Sequence, residues 1–436
     1  MSDASALTAT KGVRSRTFAA LADSPDYRRF YLGQGVSLIG TWLQTAAVSW
    51  VVFDLTRSES MLGVIDMAGT MPGLLVGLFA GVMADRVAPR AMIMGMQACQ
   101  MALAFLLALL VGSGSVQIWL LALLLALTRV CVTFEMPSRQ VFLYELVGRS
   151  ALMNAIALNS GLFNASRVIG PALAGLCLAK YGQTAPFVLN GVSYLAAIAA
   201  LMTIKAGRHV DVQAASRSTG VMGGFAYLKR DGHVRGLFLL MAFFGIIGMG
   251  YAALIPAYAR VVVRTGELGY SLLVSCGGLG ATVGALTMAS VGGLARKEML
   301  VPAGMAIFGL SLAASGVVPA ALGGRAALPM AAVCLFGTGF GAILVFAALQ
   351  TLIQIAVPDD LRGRIMGIWM IAYSGSVPLG SLWAGLVAKR HGVPMVMELS
   401  AAFCIATTLV IIPFILSMSS PGASTANLGV GRLLSD

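Results

Sequence analysis

Gly81-Val82-Met83-Ala84-Asp85-Arg86-Val87-Ala88-Pro89-Arg90 is the point at which a glycine-ridged apolar run stops at one acid and two arginines. About twenty apolar or small residues precede it and about as many follow, the length a helix needs to cross a hydrocarbon core, so it reads as a tight turn between two membrane spans. Asp85 falls near the start of the following helix, where the positive end of the helix dipole favours a carboxylate. Arg86 and Arg90 are placed to pair with acids on neighbouring helix ends. Gly81 leaves room for a partner backbone to come close.

The chain outside this turn has the same character. Of 436 residues, 58% are hydrophobic and 11% charged, with a mean hydropathy of +0.88, which places the chain in a bilayer. Cys99, Cys131, Cys177, Cys276, Cys334 and Cys404 lie in apolar runs without CxxC spacing. They read as small buried hydrophobes and imply neither a disulfide framework nor a metal site. Residues 1–29 are polar and hold no apolar core of signal-peptide type.

Apolar runs at 32–54, 61–84, 91–112, 117–146, 155–180, 184–204, 236–262, 269–291, 299–320, 328–356, 364–388 and 395–417 predict twelve transmembrane helices with both termini on one side. Of the 29 Lys and Arg, 20 fall on the side of the termini and 7 on the other, leaving Arg129 and Arg167 within spans. The termini are therefore expected in the cytoplasm. The net charge of +12 is then mostly an orientation signal, and no nucleic-acid partner is expected.

The longest polar stretch, about 205–235, divides the chain into an N-terminal bundle (1–204) and a C-terminal bundle (236–436). The halves repeat each other. Gly170-Pro171-Ala172-Leu173-Ala174-Gly175-Leu176, ending at Lys180-Tyr181-Gly182, matches Gly380-Ser381-Leu382-Trp383-Ala384-Gly385-Leu386, ending at Arg390-His391-Gly392, at an offset of about 210. Gly69, Gly73 and Gly81 fall on Gly280, Gly284 and Gly292 at about 211, and Asp85-Arg86 falls on Arg296-Lys297. The expected fold is all-α, with twelve transmembrane helices in two pseudo-symmetric six-helix bundles and a substrate site between the halves.

The repeat extends the fourth span to about Leu146, because its counterpart ends at Val357-Pro358. Arg129, Glu135, Arg139 and Gln140 then lie in or near the membrane, where charge is costly and faces a cavity or a partner. Pro137 should kink this helix. Polar side chains recur at helical spacing elsewhere: Gln34, Ser37, Thr41, Gln44 and Thr45; Ser160, Asn164 and Arg167; Tyr251 and Tyr258; Gln350 and Gln354. Such stripes face either a wet cavity or other helices, where each hydrogen bond contributes about 0.6 kcal/mol. Gly69, Gly73, Gly77 and Gly81 form a small-residue ridge, expected at the interface that rocks.

The Gly-x-x-x-Asp-Arg-x-x-Pro-Arg turn, in a chain of duplicated six-span halves, resembles the loop between helices two and three of the major facilitator superfamily. Arg167-Val168-Ile169-Gly170-Pro171 is similar to the helix-five motif of that superfamily's antiporters. Gly40-Thr41-Trp42-Leu43-Gln44, Pro137-Ser138-Arg139-Gln140, Glu145-Leu146-Val147 and Asn154-Ala155-Ile156-Ala157-Leu158-Asn159-Ser160 resemble the branch containing the enterobactin exporter and bacterial drug-efflux proteins. The resemblance covers essentially the whole chain. It implies a proton-coupled exporter of the bacterial inner membrane working by alternating access, with helices 1, 4, 7 and 10 lining the cavity. Arg129 would be the helix-four arginine linked to proton coupling. Thr133 replaces the glycine usual shortly after that arginine, helix 1 lacks the Asp and Pro of some drug antiporters, and the second copy of the charged loop has lost its Asp.

The expected cavity residues are thus Gln34, Thr41, Gln44, Arg129, Asn164, Arg167, Tyr251 and Gln350. Asp66, Glu135 and Arg129 are the candidates for proton coupling. Gly81, Asp85, Arg86, Arg90, Gly170 and Pro171 are the candidates for gating. If Glu135 pairs with Arg139, Asp66 is the better proton carrier, although it also reads as a helix-start acid at the outer interface. The cavity arginines suit an anionic or zwitterionic amphiphile, and the expected partners are a small-molecule substrate, protons and lipid, around a monomer. Import or flipping of a lipid or metabolite is an alternative, as is a non-transporting sensor or scaffold. No nucleophile–base constellation, phosphate-binding loop or metal cluster appears, so neither an enzyme nor a cofactor is expected.

Overall fold

The computed structural model describes residues 18–84, 86–204, 222–291, 297–322 and 324–418. Their elements are α1 (Ala19–Asp23), α2 (Pro25–Thr56), α3 (Glu59–Ala84), α4 (Pro89–Gly112), α5 (Ile118–Tyr181), α6 (Ala185–Thr203), α7 (Met222–Arg230), α8 (Gly232–Phe243), α9 (Glu267–Val291), α10 (Leu300–Leu322), α11 (Ala327–Ala356), α12 (Asp359–His391) and α13 (Val393–Met418). No strand occurs among the described residues. Beyond α8 the helix continues irregularly: Phe244–Gly248 and Tyr258–Val262 are π turns and Met249–Leu254 is a tighter 3-10 turn. Among the described residues, eleven helices are long and apolar enough to cross a membrane.

Local chemistry sets the start of α2. Ser24 accepts the Tyr27 N–H at 3.1 Å, Pro25 occupies the first turn, where its missing N–H is no loss, and Asp26 favours the positive helix end. The Ser24 hydroxyl donates onward to the Leu146 carbonyl, and the Tyr27 hydroxyl to that of Ala155. Around them Phe30, Ile93, Phe142, Leu158, Leu201 and Ile204 close an apolar core. Asn154, part of the branch-like motif, accepts the Ala20 N–H at 3.0 Å and so caps α1.

The 64 residues of α5 would extend about 96 Å as one rod, three times the hydrocarbon thickness. Gly148, at φ 67 and ψ −178, breaks it. Before the break, contacts run opposite to α2: Ser24 meets Leu146 and Phe30 meets Phe142. After it they run with α2: Tyr27 meets Ala155, Tyr31 meets Leu158 and Gly170 lies on Trp42. The chain therefore doubles back at Gly148, and α5 is long enough to supply two crossings. The backbone stays helical through Pro137, and the reversal needs a conformation open to glycine alone.

By contacts the chain forms two compact units. The first is Met1–Ser218 with Ile255–Arg260 and Arg264–Ser275; the second is Thr219–Leu254, Val261–Val263 and Cys276–Asp436. The first unit gains its two later segments through specific contacts: Arg260 reaches Asp54 at 3.5 Å, the Tyr270 hydroxyl donates to Ala46 O at 2.9 Å and that of Ser275 to Val168 O at 3.1 Å.

Each unit builds its glycine ridge the same way. A Cβ on Gly69 would meet Leu125, and one on Gly73 would meet Arg129; in the second unit the matching contacts are Gly280 with Phe336 and Gly284 with Phe340, every position displaced by 211. Pro89 and Leu300, which open α4 and α10, keep that displacement. At an offset of 210, α5 and α12 both stop at a glycine of positive φ, Gly182 at 77 and Gly392 at 83. The ridge is thus a seam inside each unit, α3 on α5 and α9 on α11. The close helix packing expected of Gly69 and Gly73 is what these contacts show.

Candidate functional site

The first unit holds a buried polar network across α2, α4, α5 and α6. Glu135 on α5 is 2% exposed and accepts from three side chains. Gln97 donates to Oε1 at 2.9 Å, Gln100 to Oε2 at 2.8 Å, and the Arg139 guanidinium, one turn on, also holds Oε1. Gln100 in turn accepts the Tyr194 hydroxyl at 3.1 Å, and Tyr194 lies 3.3 Å from the Thr41 hydroxyl. Beside it, the Asn190 amide donates to Gln44 at 2.8 Å. Donors on both oxygens satisfy the carboxylate, the condition for tolerating charge inside a bundle.

This geometry corrects part of the expected cavity list. Gln34 and Gln44 are 2% and 6% exposed, and Tyr251 is 5% exposed with its hydroxyl 3.1 Å from Thr338. Gln44 and Tyr251 hold neighbouring helices together, and Gln34 is buried with both amide atoms unpaired. Helical spacing groups Gln34 and Gln44 with Thr41 and Thr45, yet the two glutamines are buried while Thr41 is half-buried and Thr45 exposed. Thr41, Asn164, Arg167 and Gln350 are half-buried, and Arg129 is exposed. The stem of Arg129 runs over Gly73, where a Cβ would sit 2.5 Å from its Cγ.

Among the proton-coupling candidates, Asp66 is exposed on α3, whereas Glu135 is sealed in the network. Of the gating candidates, Asp85 lies outside the described residues, as does the side-chain environment of Gly81. Arg86 is exposed. Arg90 departs from its expected pairing with an acid and donates instead to the Met202 carbonyl at 3.2 Å, in the last turn of α6, where the helix dipole favours a cation. Gly170 and Pro171 are buried, and Gly170 admits Trp42, whose Cβ lies 2.5 Å from where its own would be.

Gln97, Gln100, Asn190 and Tyr194 were not singled out by the sequence reading. Gln97 and Gln100 repeat at three-residue spacing in an otherwise apolar helix, a signal that was there to be read. Neither guanidinium, of Arg129 or of Arg167, has an acid or hydrogen-bond partner among the described residues; that of Arg167 instead sits 5.8 Å over the Trp42 ring.

Residues 15–427 match the family described as transmembrane secretion effector. The chain belongs to this family of major facilitator transporters. Among curated relatives, macrolide efflux protein A of Streptococcus pyogenes is 22% identical over 87% of this chain and 93% of its own. The staphyloferrin A transporter of Staphylococcus aureus is 22% identical over 87% and 94%. The solved nucleoside transporter NupG shares 11% identity with a TM-score of 0.71, covering 89% of this chain and 99% of that one, and so shares the fold. As a transmembrane secretion effector, the chain is a multi-span membrane transporter and not an enzyme.

Proposed function

We propose that this transporter exports a small amphiphilic molecule, a siderophore or drug, by alternating access driven by protons. The observation that supports it best is the pair of guanidiniums, Arg129 and Arg167, within membrane-spanning helices and without acids among the described residues. Charge in that position is costly unless a wet cavity or an anionic ligand meets it. The efflux function named for the macrolide relative points the same way, and the staphyloferrin A transporter points to a siderophore as one class of substrate. On this reading Thr41, Arg129, Asn164, Arg167 and Gln350 contact substrate.

The proton is carried by Asp66. Glu135 has both oxygens taken by donors, so a proton there would displace one of them. Asp66 stands seven residues before Gly73, about 10 Å along α3 from the level of Arg129. The Gly81–Arg90 turn and Gly170-Pro171 act in gating. The protein works as a monomer in the inner membrane with both termini cytoplasmic, and with bundles 1–204 and 236–436 joined by 205–235.

The test is pH-gradient-driven uptake into proteoliposomes, with a panel of siderophores, cationic drugs and lysolipids. At least one should accumulate with the gradient. Asp66→Asn should lose that accumulation yet keep counterflow exchange, and Arg129→Ala should lose both. No wild-type flux for any compound, with both variants as stable as the parent, overturns the proposal.

A further inference from the structure

The first unit contains the same cation-over-indole arrangement twice, and the two differ in a telling way. Arg260 lies 5.1 Å over Trp50, and Asp54 stands 3.5 Å from its guanidinium. Trp50 is 1% exposed and its other neighbour, Tyr270, is 2% exposed. That site is closed on itself. Arg167 lies 5.8 Å over Trp42 with no acid among the described residues, and Trp42 meets Phe163 edge to face at 5.5 Å. Phe163 is 45% exposed, one turn before Arg167 on the same face of α5. Asn164 stands beside them with one amide N–H spent on Ser160 O.

The arrangement is built, since Trp42 reaches α5 only because position 170 is glycine: a Cβ there would lie 2.5 Å from the Trp42 Cβ and 2.9 Å from Ile39 O. The Gly170-Pro171 element thus seats an indole under a guanidinium. An exposed ring next to a cation that lacks a counter-charge accepts one kind of ligand well. A flat aromatic group covers Phe163, and its anionic substituent neutralises Arg167. A cation of the same shape meets repulsion, and a saturated anion forfeits the ring contact.

We propose that Trp42, Phe163 and Arg167 form a subsite for an aromatic group carrying a negative charge, with Trp42 and Phe163 as specificity-determining residues. This rests on the export reading for its place in the cycle. Its test does not depend on flux.

Equilibrium binding to the full-length purified protein in detergent would compare naphthoate, cyclohexanecarboxylate and naphthylmethylammonium. Naphthoate should bind at least about 10-fold more tightly than either other probe. Arg167→Ala should weaken naphthoate roughly 10- to 100-fold and remove its advantage over the ammonium probe. Phe163→Ala should weaken it about 3- to 10-fold without changing cyclohexanecarboxylate. Thermal unfolding checks that each variant is folded; where Arg167→Ala is not, Arg167→Gln and Phe163→Leu carry the comparison. No naphthoate binding by the wild type, equal binding of the three probes, or naphthoate affinity unchanged in folded Arg167 variants would each overturn the subsite. Naphthoate bound as expected but never moved by a pH gradient would leave the subsite standing and count against export.

Discussion

Glu135 is the residue on which the first unit's interior most depends, because one carboxylate satisfies Gln97, Gln100 and Arg139 at once. Removing it strands a guanidinium in an apolar bundle. Glu135→Ala should therefore cost about 3–5 kcal/mol, whereas replacing Glu135 and Arg139 together by methionine should recover most of that. Melting of the purified variants in detergent reads both, and a double variant no more stable than Glu135→Ala would contradict the account. The glycine ridge gives a second contrast at this scale. A Cβ at Gly77 meets Thr133 Cγ2 at an ordinary 3.9 Å, while one at Gly73 presses on Arg129 Cγ at 2.5 Å and Thr133 Oγ1 at 2.8 Å. Gly77→Ala should be neutral or gain up to about 1 kcal/mol from helix propensity. Gly73→Ala should shift Arg129 and lower transport before it lowers stability.

Among the elements, the junction of α7 and α8 turns on Asp231, whose carboxylate accepts the N–H groups of His233 and Val234 and the Tyr227 hydroxyl. Burial works to raise its pKa, but the Val234 N–H, the Tyr227 hydroxyl and the His233 N–H outweigh it, and the carboxyl titrates below its usual range. A depressed folded value means that the stabilisation is complete above the unfolded value, about 3.9, and is lost as pH falls through the folded one. At neutral pH Asp231→Ala should cost about 1 kcal/mol, seen as faster amide exchange at 233–235, and Asp231→Asn should keep most of the cap. If Asp231→Ala leaves that exchange unchanged at neutral pH, the cap contributes nothing. The Asp231 cap and the Ser24 start of α2 follow from ordinary capping chemistry. The π and 3-10 turns after Phe243 left no trace in the residue pattern, because one extra or missing residue in a hydrogen-bond ladder needs no particular side chain. The reversal between the fourth and fifth spans was legible as the gap between the runs 117–146 and 155–180, but the residue that makes it was not: the sequence holds 52 glycines, and nothing local distinguishes Gly148, which turns the chain, from those that let helices touch.

At the level of the whole molecule, the crossings and the duplication were legible because both depend on spacing, and spacing survives without knowledge of neighbours. What each polar stripe faces was not legible; periodicity groups Gln34 with Gln44 but does not say that both are buried. The duplication makes that difference testable. At the 211 offset Gln97 corresponds to Phe308 and Glu135 to Phe346. At 207, the displacement that carries Gly40 against Ser193 onto Ile247 against Ser400, Ser37 corresponds to Phe244 and Gln44 to Tyr251. The slot that holds the carboxylate network in the first unit is thus filled by rings in the second, with Phe244 5.1 Å from both Phe308 and Phe346, and Tyr251 5.8 Å from Phe308. One ancestral position has become a charged anchor in one copy and an apolar one in the other, and the two solutions should not interchange. Phe346→Leu should cost roughly 1–2 kcal/mol through lost ring contacts and a small void. Phe346→Glu places a carboxylate among rings, without the two amides and the guanidinium that hold Glu135, and Glu135→Phe leaves Arg139 unpaired, so each should abolish folded protein in membranes. Folded yield by size-exclusion chromatography after mild solubilisation reads all three. A Phe346→Glu protein recovered at wild-type yield would show that the second unit tolerates the charge, and the division of labour between the copies would then rest on something other than these slots.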